Sequence, residues 1–283
     1  MMGYIRVIAA VVPPLFLIWY IYKLDAIEKE PRNLLTKLFF LGCLSVVPAV
    51  ILEILLEGFL GSMFGGQMYL ILENFIGIAL VEEACKFFFL YFGTWKNREF
   101  DYRFDGIVYA VATSLGFAAL ENIGYVMTMS SGLELAIMRA LTSIHGHCIF
   151  GIWMGYYYAK AKVEAHGLSA VNAKTNLRKA VLIPMLLHGA YDYLCTSAGA
   201  GSLALFAIYD IALVFFSFRK VKEFAKADAA VHAGAAAAFS GDDVPVGGAP
   251  GFHGSGNAGT PGSGGNGPDV FDAGSTNDLD NFL

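Results

Sequence analysis

The sequence predicts an all-α fold, a polytopic bundle of about seven membrane-spanning helices followed by a disordered polar tail. Three observations predict it. Of 283 residues, 56% are hydrophobic and only 15% are charged, where a soluble globular domain carries roughly 25% charged residues. Seven stretches approach the ~20 apolar residues that a membrane helix needs: 4–22, 34–56, 69–92, 106–128, 137–159, 181–197 and 202–218. The segments between them alternate between basic and non-basic, a pattern that one wrongly placed span would break.

The first stretch has Arg6 as its only early basic residue and no small-residue cleavage site before Asp25. It reads as a retained helix, kinked near Pro13-Pro14, rather than a signal peptide. Lys23, Lys29 and Arg32 follow it, whereas residues 57–68 after the second span hold no Lys or Arg. Lys96, Arg98 and Arg103 follow the third span, and nothing basic precedes Arg139 after the fourth. The fifth is followed by Lys160, Lys162, Lys174, Arg178 and Lys179, the sixth by no basic residue, and the seventh by Arg219, Lys220, Lys222 and Lys226. This alternation predicts an N-terminus outside and a cytoplasmic C-terminus.

Seven of the 24 acidic residues and none of the 19 basic ones fall from Asp228 onward. The net charge of −5 is therefore a property of the tail. Two regions result, an integral membrane domain at 1–227 and a Gly-rich acidic tail at 228–283. The tail lacks the apolar residues that could offset its ordering entropy, so disorder is expected. Cys43, Cys85, Cys148 and Cys195 all lie in apolar stretches and have neither zinc-knuckle nor disulfide-framework spacing. They read as small buried residues.

Ionisable groups inside spans are costly, and each is a functional hypothesis. The third span contains Glu82-Glu83-x-x-Lys86. On a helix Lys86 reaches Glu82 at i,i+4 and Glu83 at i,i+3, while the two acids point about 100° apart. One carboxylate can then face a cavity while the other pairs with Lys86 or a neighbouring helix. The competing interpretation is a structural ion-pair knot. Two acids with one base leave an excess carboxylate suited to general acid/base work.

In the fourth span Phe117, Glu121 and Tyr125 share one stripe, with Asn122 alongside. Alone, Glu121 would read as a structural buried acid. In the fifth, His147, Gly151 and Gly155 share a face that another helix can approach, while His145 points elsewhere as a packing residue. In the sixth, Asp192 lies one turn after His188 and can orient its ring. Asp210 in the seventh span has no obvious local partner. Measured at about 1.5 Å per residue from the outer face, Glu82 and Glu83 lie about 20 Å in, His147 about 15 Å, His188 about 14 Å and Glu121 about 10 Å. Four helices thus bring these groups to one band, which argues for a single site.

Four ordered motifs carry a family resemblance: Glu82-Glu83-x-x-Lys86, Gly116-Phe117-x-x-x-Glu121-Asn122, Arg139 with Gly146-His147, and His188-x-x-x-Asp192. With Asp25…Glu30-Pro31 after the first span, the chain resembles the PrsW family of intramembrane proteases over roughly residues 20–218. It is similar more loosely to CAAX prenyl proteases of the wider superfamily, which carry His where this chain has Glu121. The resemblance implies an intramembrane endopeptidase in a bacterial plasma membrane. The implied partners are a membrane-anchored protein substrate, such as an anti-sigma factor, and the bilayer, with no nucleic acid.

Two mechanisms fit these residues. In one, Glu82 or Glu83 takes a proton from water while His147 and His188 stabilise the oxyanion or relay the proton. In the other, Glu121, His147 and His188 hold a divalent metal, with zinc the best match to the ligand types, and a glutamate activates its water. The cofactor stays open between them. Lys86, Asn122, Arg139 and Asp192 are the supporting residues of either. The alternative class is a non-catalytic scaffold or transporter using the buried charges for packing or proton movement. The full acid/base set argues against a scaffold, and the lack of an inverted repeat argues against a transporter.

Overall fold

In the computed structural model, residues 2–25, 27–128, 138, 142–165, 169–197 and 200–240 are described, with side chains described between 7 and 230. Most of those residues are helical, with no strand among them. Helix α1 is Met2–Leu24 and α2 is Arg32–Met63. A third rod is built from α3 (Gly66–Leu72), a π-helical segment (Glu73–Leu80) and α4 (Val81–Thr94). Then follow α5 (Arg103–Thr128), α6 (Ser143–Ala165), α7 (Ala170–Thr196) and α8 (Ala200–Ser240).

Among the described residues, four segments are long and apolar enough to cross a membrane: Val7–Leu24, Arg32–Met63, Arg103–Thr128 and Gly201–Ala230. The protein is an integral membrane protein, and its outer surface agrees. Phe40, Leu44, Ile51, Ile54, Leu55 and Phe59 of α2 stand exposed, as do Leu203, Ile208, Ile211 and Phe215 of α8. So large an apolar surface is stable only against lipid. Pro13 and Pro14 in α1, Pro48 in α2 and Pro184 in α7 all stay inside helices, as membrane helices tolerate.

Helix α5 is the axis of the bundle, buried on nearly every side and packed on α1, α2 and α6. Small residues permit this. A Cβ on Gly116 would lie 2.0 Å from the Phe39 carbonyl oxygen of α2, and one on Gly155 2.3 Å from the Gly106 carbonyl oxygen of α5. Both interfaces are backbone against backbone.

Two expected span limits need correction, and the expected 227/228 boundary meets a helix. The fifth span was expected at 137–159, but α6 starts at Ser143. The sixth was expected at 181–197, yet α7 begins at Ala170, where the Ser169 hydroxyl accepts from the Asn172 amide at 3.3 Å. Its first turns carry Asn172, Lys174, Asn176, Arg178 and Lys179, and hydropathy cannot see a polar helical extension. The boundary at 227/228 falls inside α8, which continues through Ser240. Asp228 belongs to the folded part, because its carboxylate accepts from the amides of Arg103 and Phe104 at 3.3 and 2.8 Å and caps α5. The disorder expected of the tail concerns 241–283, outside the described residues.

Candidate active site

The π-helical segment leads directly into Val81-Glu82-Glu83, and its wider turn sets where those carboxylates point. It also lodges Phe75 against Gly189 of α7, where a Cβ would lie 2.6 Å from the Phe75 ring. Glu83 and Lys86 are fully buried and Glu82 nearly so. The Lys86 ammonium donates to Glu82 Oε2 and Glu83 Oε1, each at 2.8 Å, and to His147 Nδ1 at 2.9 Å. Its three protons thus have three acceptors. Phe117 lies beneath it, with Nζ 4.2 Å from the ring centroid.

His147 of α6 turns its other nitrogen to Glu121 of α5, with Nε2 to Oε2 at 3.0 Å. His188 of α7 has Nδ1 3.0 Å from Glu83 Oε1 and Nε2 3.1 Å from Asp192 Oδ2. Its ring stacks on Phe150 at 4.6 Å and stands 5.4 Å from the His147 ring. Glu82, Glu83, Glu121, His147, His188, Lys86 and Asp192 therefore form one connected network drawn from four helices. Residues far apart in sequence thus lie side by side in the bundle.

A cleft of about 790 Å³ opens on this network. Glu82, Glu121, His147, His188 and Asp192 line it, whereas Glu83 and Lys86 lie behind its wall. Phe117 and Tyr125, the other members of the Glu121 stripe, also line the cleft, and its rim is formed by Thr128, Ser143 and Thr196 at neighbouring helix ends. The two adjacent acids are thus differentiated: Glu82 faces the cleft and Glu83 is enclosed.

The remaining sequence candidates fall as follows. Asn122 is buried beside the site, its amide donating to the Ala118 carbonyl at 2.7 Å. Arg139 lies outside the described residues. His145 points away from the cleft and meets Asp210 at 2.7 Å, so the two unassigned polar residues of α6 and α8 pair with each other. Two lining residues escaped sequence reasoning, Glu53 of α2 and Asn74 of the π-helical segment. Each has a buried oxygen, Glu53 Oε1 and Asn74 Oδ1, with no hydrogen-bond partner among the described residues. The signal was present for Glu53, a lone acid in Ile51-Leu52-Glu53-Ile54-Leu55.

Glu82, Glu83 and His147 offer ligand atoms within 4.8 Å of one another, but Lys86 already occupies the cation position among them. Glu121, His147 and His188 are suitable in type for zinc. Their hydrogen-bond roles do not fit as arranged. Lysine can only donate, so His147 Nδ1 accepts and its Nε2 carries the proton given to Glu121. Both His188 nitrogens face carboxylate oxygens as donors. Neither ring keeps a free lone pair for a metal.

Fold and site define a class: a polytopic membrane protein gathering carboxylates and imidazoles onto one cleft, the groups that peptide hydrolysis requires. The sequence profile of the PrsW family intramembrane metalloproteases matches residues 30–219. The chain is 40% identical over 197 residues to Protease PrsW of Oceanobacillus iheyensis, covering 70% of this chain and 86% of that protein. It is 36% identical over 217 residues to Protease PrsW of Geobacillus kaustophilus, covering 76% and 90%. It is 33% identical over 216 residues to Protease PrsW of Bacillus subtilis, covering 76% and 93%. No solved structure matches it. The chain belongs to the PrsW family and is an intramembrane peptidase.

Proposed function

We propose that this protease cleaves a membrane-anchored protein by a glutamate-centred mechanism with Glu82 as the general base. The observation that supports this reading is the convergence of Glu82, Glu121, His147 and His188 on one cleft while Glu83 and Lys86 stay enclosed. Glu82 takes a proton from a water in the cleft as that water's oxygen bonds to the scissile carbonyl carbon. His147 and His188 line the same cleft, and their Nε2–H groups, which donate to Glu121 and Asp192 in the resting site, transfer to the developing oxyanion. The proton on Glu82 then passes to the leaving amine as the C–N bond breaks. Asp192 and Glu83 fix the His188 ring from its two nitrogens, Glu121 holds His147, and Lys86 ties both glutamates to His147. The family's description as metalloproteases keeps the metal question experimental, and the hydrogen-bond roles above favour the metal-free version.

The substrate class follows from a cleft embedded among membrane helices, and an anti-sigma factor is one candidate. The proposed setting is a bacterial plasma membrane, with the N-terminus outside and the C-terminal segment cytoplasmic. The test is cleavage of single-span substrates by the purified protein in lipid, comparing wild type with Glu82→Gln, Glu121→Gln and His188→Ala. Loss of cleavage in all three, with folding intact, is the expected result. Undiminished cleavage in the variants removes the proposed site. Metal analysis and chelation of the same preparation should leave activity unchanged, and loss restored by zinc would overturn the metal-free mechanism.

A further inference from the structure

A second group of buried acids lies at the opposite end of α5 from the cleft. Asp25 follows α1, Glu30 precedes α2, and Asp105 sits in the first turn of α5, about 24 Å along that helix from Glu121. All three are buried, at 4%, 4% and 1% exposure, and each offers a carboxylate oxygen within 4.8 Å of the others. No lysine, arginine or histidine of the described residues forms a salt bridge with any of them. Lys29, the nearest cation in sequence, instead donates to the backbone carbonyls of Tyr22 and Asp25.

What surrounds them is a partial set of donors. Asp105 Oδ2 accepts from the amides of Asp101 and Tyr102 at 3.1 and 2.7 Å, and the Tyr109 hydroxyl donates to Glu30 Oε2. Asp25 Oδ2 is buried with no hydrogen-bond partner among the described residues. An orphan carboxylate oxygen, enclosed beside two further carboxylates, is costly unless a cation or a proton is shared there. An all-oxygen, nitrogen-free donor set suits a hard divalent ion such as Mg²⁺, Mn²⁺ or Ca²⁺ rather than zinc.

We infer that Asp25, Glu30 and Asp105 form a divalent-cation site that clamps the segment between α1 and α2 onto the start of α5. The site is separate from the catalytic cleft and shares no residue with it. Its ion ties three elements at the end of the bundle where the Asp228 cap also acts.

The experiment uses the full chain purified in lipid, stripped with chelator, and titrated with Tb³⁺ as the probe. Tyr109, whose hydroxyl contacts Glu30, is positioned to sensitise Tb³⁺ emission. Saturable emission, competed by Ca²⁺ or Mn²⁺, is expected from wild type and from Glu121→Gln. Glu30→Gln and Asp25→Asn should weaken binding by roughly tenfold or more, given that losing even an outer partner of a ligand costs 10–100-fold. A parallel measurement needs no variant: adding Mn²⁺ or Ca²⁺ to stripped wild type should raise its unfolding temperature. Absence of both responses in wild type would mean that the acids share a proton instead, and would overturn the site. Emission abolished by Glu121→Gln but retained in Glu30→Gln would move the ion to the cleft and equally overturn it.

Discussion

Glu82 and Glu83 are adjacent in sequence and share Lys86, yet only one of them reaches the cleft. Glu82 lines the cleft, while Glu83 is enclosed and holds Lys86 and His188 together. Their glutamine variants should therefore fail differently. Glu82→Gln is expected to keep the fold and lower kcat by about 10²–10⁴, the usual contribution of a general base. Glu83→Gln breaks a buried ionic network and is expected to cost about 3–5 kcal/mol of stability, read as a lower unfolding temperature in the same lipid. Equal stability of the two variants, with equal residual activity, would refute the division of roles. Lys86→Met should resemble Glu83→Gln, since it leaves two buried carboxylates without their shared cation. What was legible in sequence was the pair and its lysine. Which acid faces the cleft was not, because the register of that turn depends on the π-helical segment before it.

At the scale of elements, the site exists because α5 approaches α2 and α6 with almost nothing between the backbones. The Glu121–His147 contact spans the α5–α6 interface, and Gly155 lies on the same face of α6 as His147, two turns further along. Gly155→Val is expected to force α5 and α6 apart, costing about 1–3 kcal/mol as overpacking does and lowering activity with it. Gly58→Ala in α2 is the matched control, since a Cβ there meets nothing within 4 Å, and it should be neutral or slightly stabilising. Thermal unfolding of both variants decides the point; a destabilised Gly58→Ala together with an unaffected Gly155→Val would contradict the packing argument. The Gly151 and Gly155 face was legible from spacing, as was the His188–Asp192 turn. The His145–Asp210 pair and Asn74 were not, because each depends on which helices become neighbours. Glu53 was visible in its apolar run and only its destination was hidden.

For the molecule as a whole, the two ends of the bundle differ. The cleft rim is formed by the end of α5, the start of α6 and the end of α7, and the basic segments Lys96–Arg103 and Arg219–Lys226 belong to the other end. If those basic segments are cytoplasmic, the cleft opens outward. Cysteine chemistry can test this without altering the site. Cys85 and Cys148 are buried, and the Cys43 thiol is half-buried and donates to the Gly116 carbonyl at 3.1 Å. Cys195 is exposed and lines the cleft near its rim. A charged, membrane-impermeant thiol reagent added to intact cells should therefore modify Cys195, and Cys195→Ser should abolish the labelling. Inverted vesicles should protect it. Labelling confined to inverted vesicles would reverse the orientation, and with it the side of the membrane on which the substrate is cut. A substrate bound in the cleft should slow modification of Cys195 from the outside, because reagent and substrate would then compete for one opening.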